Sequence, residues 1–183
     1  TLGLLNLWFK WDYYAAEREL NTTYQLEPAN ITSMNTDPIV AQGKFKEAVE
    51  IVKRKVKTEP NNIHHKIDLG FVLYFAGQQE EAMHWLDSAK TTADPRHPAY
   101  TDLGRTYLYA DHFQQVIEVN KKYRSVIGDP NVWPRVDALD AIAYFRLGQR
   151  EASQNLLKRL RDIAEKTANG SSAFYAAMVY AQI

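Results

Sequence analysis

The apolar and polar positions of this chain repeat as a block. The stretch Gly43-Lys-Phe-Lys-Glu-Ala48 recurs as Gly77-Gln-Gln-Glu-Glu-Ala82, a shift of 34, and again as Asp111-His-Phe-Gln-Gln-Val116, a further 34. Gly148-Gln-Arg-Glu-Ala152 reads as the same turn with one residue deleted, and Trp11-Asp-Tyr-Tyr-Ala-Ala16 precedes them all, with Asp12, Tyr13 and Ala16 in matching places. Four residues beyond each alanine stands an apolar residue, Leu20, Val52, Leu86 or Leu156, on the same helix face. Pro28, Pro60, Pro95 and Pro130 keep nearly the same period, with spacings of 32, 35 and 35.

Each landmark predicts part of a helix-turn-helix unit. Gly43, Gly77 and Gly148 can enter the left-handed conformation that ends a helix. The following alanine supplies the small side chain needed where two antiparallel helices come closest. Proline then stops the second helix, since it lacks the amide donor and clashes with the preceding turn. Neither helix of such a pair can hide its apolar face alone, so pairs are expected to stack into a solenoid.

These landmarks resemble the tetratricopeptide repeat, with its 34-residue signature W-x2-L-G-x2-Y, A-x3-F, P. The third unit carries Leu69, Gly70, Gly77, Ala82, Leu86, Ala89 and Pro95 in those roles, and the fourth carries Tyr100, Leu103, Gly104, Tyr107, Phe113 and Pro130. The resemblance implies an all-α fold, a right-handed α-solenoid of antiparallel helix pairs. One array domain would cover 1–183, with units near 1–29, 30–62, 63–96, 97–131 and 132–168 and a terminal helix at 171–183. Leu2-Gly3, Trp11-Asp12, Ala16-Glu-Arg-Glu-Leu20, Leu69–Gly77 and Ala173–Ala177 are also similar to the repeat tail of bacterial multidomain regulators, joined to winged-helix, cyclase or kinase domains. That likeness implies a bacterial signalling or transcription-regulator protein. It would be periplasmic if the whole is membrane-anchored, or alternatively cytoplasmic. Thr1 is not an initiator methionine and the last helical pattern stops at Ile183, so the chain reads as a fragment of a longer protein.

The repeat is imperfect in two places. Asn35 and Thr36 occupy the usual Leu-Gly positions of the second unit and Pro38 falls within its first helix, predicting either a shortened helix or a hinge. In the fourth unit Asp111 replaces the turn glycine, at modest cost in the left-handed region. There Asn120 replaces the aromatic of the second helix, either buried with hydrogen-bond partners or marking a rotated helix, and Gly128 and Asp129 lengthen the exit.

Composition narrows the chemistry. The 183 residues include no cysteine, which removes thiolate nucleophiles, disulfides and zinc-thiolate sites. A chain this size buries roughly 70% of its unfolded surface, so cross-links are not required. Lys plus Arg and Asp plus Glu balance at 22 each, without the basic excess that phosphate binding draws on. The basic run Lys53-Arg54-Lys55-Val56-Lys57 is expected on a solvated outer face, offset by Glu47, Glu50 and Glu59. Adjacent His64 and His65 point about 100° apart on a helix and cannot chelate together. There is no H-E-x-x-H, P-loop or G-x-G-x-x-G, and Glu80-Glu81 reads as a helix start. No run approaches the roughly 20 apolar residues of a membrane span. The reading is a non-enzymatic chain with no cofactor and no metal.

In the repeat family, first helices line a concave groove through the second, fifth, ninth, twelfth and thirteenth positions of each unit. Carried over, these are Ile67, Phe71, Tyr74 and Phe75, then Thr101, Arg105, Leu108 and Tyr109, then Arg135, Ala138, Ile142, Phe145 and Arg146. The candidate partner-binding residues are Phe71, Tyr74, Phe75, Arg105, Leu108, Tyr109, Ile142, Phe145 and Arg146, a protein or peptide being the partner. Tyrosine and arginine commonly anchor interfaces, and arginine grips carboxylates in bidentate fashion. Two alternatives stand beside this: small-ligand sensing in the aromatic groove, and homodimerisation through the terminal helix, where Phe174, Tyr175, Met178 and Tyr180 lack a mate.

Overall fold

A computed structural model describes residue 10 and residues 12–26, 36–128, 134–166 and 170–183 of the chain. Among the described residues the fold is all-α, with ten helices and no strand. They are α1 (Tyr13–Leu26), α2 (Asp37–Ala41), α3 (Phe45–Thr58), α4 (Ile63–Phe75), α5 (Gln79–Thr92), α6 (Ala99–Tyr109), α7 (Phe113–Ile127), α8 (Pro134–Arg146), α9 (Arg150–Lys166) and α10 (Gly170–Tyr180). The chain divides into two compact units, Thr1–Ala89 and Lys90–Ile183.

One reversal, used four times, joins the helices. Gly43, Gly77 and Gly148 have φ of 73°, 79° and 77°, and Asp111 takes the same left-handed conformation at 57°. At each, the left-handed residue's N–H donates to the carbonyl three back: Gly43 to Val40, Gly77 to Tyr74, Asp111 to Leu108 and Gly148 to Phe145. The next N–H donates to the carbonyl five back: Lys44 to Ile39, Gln78 to Leu73, His112 to Tyr107 and Gln149 to Tyr144. This paired closure satisfies the orphan carbonyls of a helix end and turns the chain at once into the next helix. The glycine and aspartate roles expected from the sequence are therefore observed.

One register is corrected. No residue is deleted after Gly148: Ser153 N–H donates to the Gln149 carbonyl as Ala48 N–H does to Lys44 and Ala82 N–H to Gln78. Ser153, not Ala152, fills the buried small-residue slot, and four residues on it is Leu157, not Leu156, that is buried. A serine in an alanine slot hid the match.

In the first unit, α1 packs on α2, α2 on α3 and α3 on α4. Ala48, Val49, Val52 and Val56 of α3 meet Leu69, Val72 and Leu73 of α4 and Ala82 of α5 in one apolar core. Asn62 caps α4, its side chain accepting from His64 N–H at 3.0 Å. Pro38 sits in the first turn of a five-residue α2, where its missing N–H costs nothing, so the shortened helix is what forms. Residues 27–35, including Pro28, lie outside the described residues, as does Pro130. Glu17 of α1 clamps the α2–α3 turn, accepting from Lys44 Nζ at 2.9 Å and Gln42 Nε2 at 2.6 Å. Burial alone would raise the Glu17 pKa, but these two donors outweigh it and hold the carboxyl below its usual range.

In the second unit, α6 packs on α7, α7 on α8 and α8 on α9, while α6 also meets α8, and α10 meets both α8 and α9. Helix α8 is thus surrounded by four others, and every residue from Val136 to Ala143 is buried.

Two substitutions separate close packing from backbone strain. A Cβ on Gly70 would lie 2.5 Å from Leu86 Cδ2 and 3.2 Å from the Ala82 carbonyl, so Gly70→Ala forces α4 and α5 apart. It is expected to cost about 2 kcal/mol in urea unfolding. Asp111→Gly relieves a left-handed non-glycine residue and is expected to gain about 0.5 kcal/mol in the same assay.

Candidate interaction surface

The first unit brings the three aromatic residues of α4 together. Leu69, Val72 and Leu73 lie within the core, and Phe71 and Tyr74 pack against its edge. The Phe75 ring lies 4.9 Å from Phe71 and 5.5 Å from Tyr74, both edge-on, and 6.5 Å from Phe45 of α3 in a stacked arrangement. Phe71 and Tyr74 are half-buried against the core, whereas Phe75 is 38% exposed.

The second unit holds the other six candidates on α6 and α8. Tyr109, 34 residues after Phe75 and likewise the last residue of its helix, is 48% exposed. Arg105 stands one turn before it, with Nη2 3.7 Å from Asp102, and the same carboxylate also accepts from Arg135 of α8. Two guanidinium groups thus share one carboxylate, and the Arg105 Nε is buried with no hydrogen-bond partner. Leu108 is half-buried against the α8–α10 core, Phe145 is half-buried with the Arg150 guanidinium 4.7 Å from its ring centre, and Arg146 is exposed. Ile142 does not belong to this surface: it is 4% exposed and packs into the core, because α8 is covered on nearly every side. Ile67, Thr101 and Ala138 are buried too.

The second unit also holds a buried polar network, formed by residues that the sequence does not single out. Asp137 and Asp140 of α8 are 0% and 2% exposed. Arg124 of α7 bridges them, with Nη2 2.8 Å from Asp137 and Nη1 2.5 Å from Asp140. Arg159 of α9 approaches Asp137 at 3.3 Å, and Asn120 donates to Asp140 at 2.6 Å. Asn120 is therefore the buried, hydrogen-bonded alternative of the two left open. The Asn120 side chain also sits where a Cβ on Gly104 would meet its Oδ1 at 2.7 Å, so Gly104 makes room for it. Burial pushes the Asp140 pKa up to about 6, only partly opposed by Arg124 and Asn120. The signal available in the sequence was Asp137 and Asp140 at positions where the repeat signature calls for large apolar side chains.

A second buried charge corrects another expectation. Lys55, placed by the sequence on a solvated face, is buried, and that burial pushes its pKa down against the opposing pull of Asp68. Lys53, Arg54 and Lys57 do remain exposed, and Lys53 pairs with Glu81 at 3.2 Å. His65 is buried 3.3 Å from Glu59, and burial lowers its pKa. Among the described residues no three His, Asp or Glu side chains are grouped to hold a metal ion, and no helix is long and apolar enough to cross a membrane. No protein-family model matches the chain, and no curated protein matches it.

The network generates two expectations. Arg124→Met leaves two buried carboxylates undercompensated and should cost about 3 kcal/mol in urea unfolding at pH 7. The ionised Asp140 is disfavoured in the fold, a penalty fully present above pH 6 and relieved as pH falls from 6 toward 3.8. Unfolding measured from pH 4 to 6 should therefore show Asp140→Asn gaining on the wild type as pH rises, by a slope approaching about 1.4 kcal/mol per pH unit.

Proposed function

We propose that this chain is a non-catalytic protein-interaction scaffold of the tetratricopeptide-repeat type, a right-handed α-solenoid whose first helices bind a peptide or helix of a partner. The observation that carries the reading is the recurrence of an exposed aromatic at one place in the repeat. Phe75 and Tyr109 each end a first helix, two residues before a left-handed reversal, and each remains more than a third exposed. A large apolar ring left in water at the same register 34 residues apart is what a repeated contact surface needs. The successive packing of α6, α8 and α10 in the second unit supports the repeat reading, since those are its first helices.

The charge beside Tyr109 defines the partner further. Arg105 and Arg135 share the single carboxylate of Asp102, which leaves one net positive charge beside an aromatic ring. A partner segment with an aromatic or apolar side chain flanked by a carboxylate would complement it, the carboxylate taking guanidinium donors from Asp102. As part of a bacterial signalling or transcription-regulating protein, the scaffold would carry its regulatory contact here.

The test is capture of partners from an extract of the source cells, by the wild-type chain and by Phe75→Ala, Tyr109→Ala and Arg105→Ala. All three side chains are partly exposed, so the fold is expected to survive, checked by circular dichroism. A captured protein should lose at least about tenfold in affinity with Tyr109→Ala or Arg105→Ala. Equal affinity of all variants for every captured protein would reject the surface.

A further inference from the structure

Two arginines near Tyr109 converge on one carboxylate, and they hold it unequally. Asp102 lies in the first turn of α6, Arg105 follows it by one turn, and Arg135 is the second residue of α8. Arg135 Nη2 donates to Asp102 Oδ1, whereas Arg105 Nη2 stands 3.7 Å from the same oxygen. That separation is beyond hydrogen-bond length, and the Arg105 Nε is buried without a hydrogen-bond partner. Asp102 is thus committed to Arg135, and Arg105 retains donors for another acceptor. Other arginines of the unit are fully engaged. Arg96 grips Asp94 through Nε and Nη2 together, and Arg124 divides its two Nη groups between Asp140 and Asp137.

The cluster is open to a visitor. The side chains of Asp102, Arg105 and Arg135 remain 27%, 35% and 31% exposed. An oxyanion reaching Arg105 therefore meets the fixed negative charge of Asp102 close by, and that charge decides which oxyanion is accepted. Two guanidinium groups and one carboxylate leave one net positive charge. A carboxylate side chain from a partner would bring the cluster to neutrality. A phosphate monoester, whose second proton leaves with a pKa of about 6, carries close to two negative charges at pH 7.5. It would leave one surplus negative charge facing Asp102, and repulsion between like charges grows where water is partly displaced. On an unguarded arginine pair, phosphate has the advantage of its charge and its additional acceptor oxygens. Asp102 reverses that order, because selectivity between two ligands is obtained by penalising one as well as by attracting the other.

We infer that Asp102 is a specificity-determining residue of this surface, setting the Arg105–Arg135 pair to take a carboxylate side chain and to turn away a phosphorylated one. The inference rests on the partner-binding reading of the surface and names the acidic group it selects. Arg105 receives the incoming carboxylate, while Arg135 stays on Asp102.

Two blocked tetrapeptides test it: Ala-Glu-Phe-Ala, and its twin with phosphoserine in place of glutamate. Each is titrated at pH 7.5 into the isotope-labelled chain while the backbone amide resonances of Arg105 and Tyr109 are followed. The wild-type chain should bind the glutamate peptide with a dissociation constant on the order of 1 mM, and the phosphoserine peptide no more tightly. Asp102→Asn doubles the net positive charge and should shift the ratio of the two affinities at least tenfold toward the phosphoserine peptide. Combining Asp102→Asn with Arg135→Gln restores one net charge, leaves neither member of that pair without its mate, and should return the ratio toward the wild-type value. A purely structural Asp102 would change both affinities together. A ratio that Asp102→Asn leaves unchanged would overturn the inference, and so would amide resonances that neither peptide moves. Partner capture reports separately. An unchanged ratio, with Arg105→Ala still weakening a captured protein, removes only the role of Asp102. A shifted ratio with no such weakening keeps the selective site and removes the partner reading.

Discussion

The structure depends on one backbone constraint: a helix must end and reverse within about three residues so that its successor can lie against it. A left-handed residue does this by letting two consecutive N–H groups reach back to carbonyls that would otherwise be orphaned. Glycine supplies it at Gly43, Gly77 and Gly148, and Asp111 supplies it with a side chain. With the reversal fixed, the residue five positions on must be small, and Ala48, Ala82, Val116 and Ser153 occupy that slot. Gly70 and Gly104 open the facing helix at the matching depth, one against Leu86 and the other against Asn120. The exposure of Phe75 and of Tyr109 is a further consequence, because the residue two before each reversal stands outward.

The two units solve burial differently. The first closes an apolar core between α3, α4 and α5 and tolerates buried Lys55 and His65 at its margin. The second surrounds α8 with four helices, which leaves its stretch from Val136 to Ala143 no solvated side. Asp137 and Asp140 are held there by Arg124, Arg159 and Asn120, an arrangement that contributes little net stability but is costly to break from one side. It fixes α7, α8 and α9 in one register, since the planar guanidinium of Arg124 must reach both carboxylates at once.

Much of the fold was legible because its signals are local. A left-handed residue, a small residue and a proline each act within one turn, so Gly77 and Ala82 could be read directly, while Pro38 left a shortened helix and a hinge both open. Ser153 was misread because Ala152 beside it fits the same pattern, and only the hydrogen bond to Gln149 distinguishes them. Asp137 and Asp140 were illegible for a different reason: a carboxylate reads as surface until its partners are known, and Arg124 is contributed by a different helix. The same limit moved Ile142 from surface to core and Lys55 from solvent to the interior. Tyr109 and Phe75 are partly exposed because their place at the helix end is itself a local property.

We propose that the recurring aromatic position marks the face that meets a partner. Photo-cross-linking from a benzophenone side chain at position 109, compared with position 114 on the exposed side of α7, tests it most directly. A discrete cross-linked partner is expected from position 109, and none from 114. Equal cross-linking from both positions, or a partner captured only from 114, would contradict it.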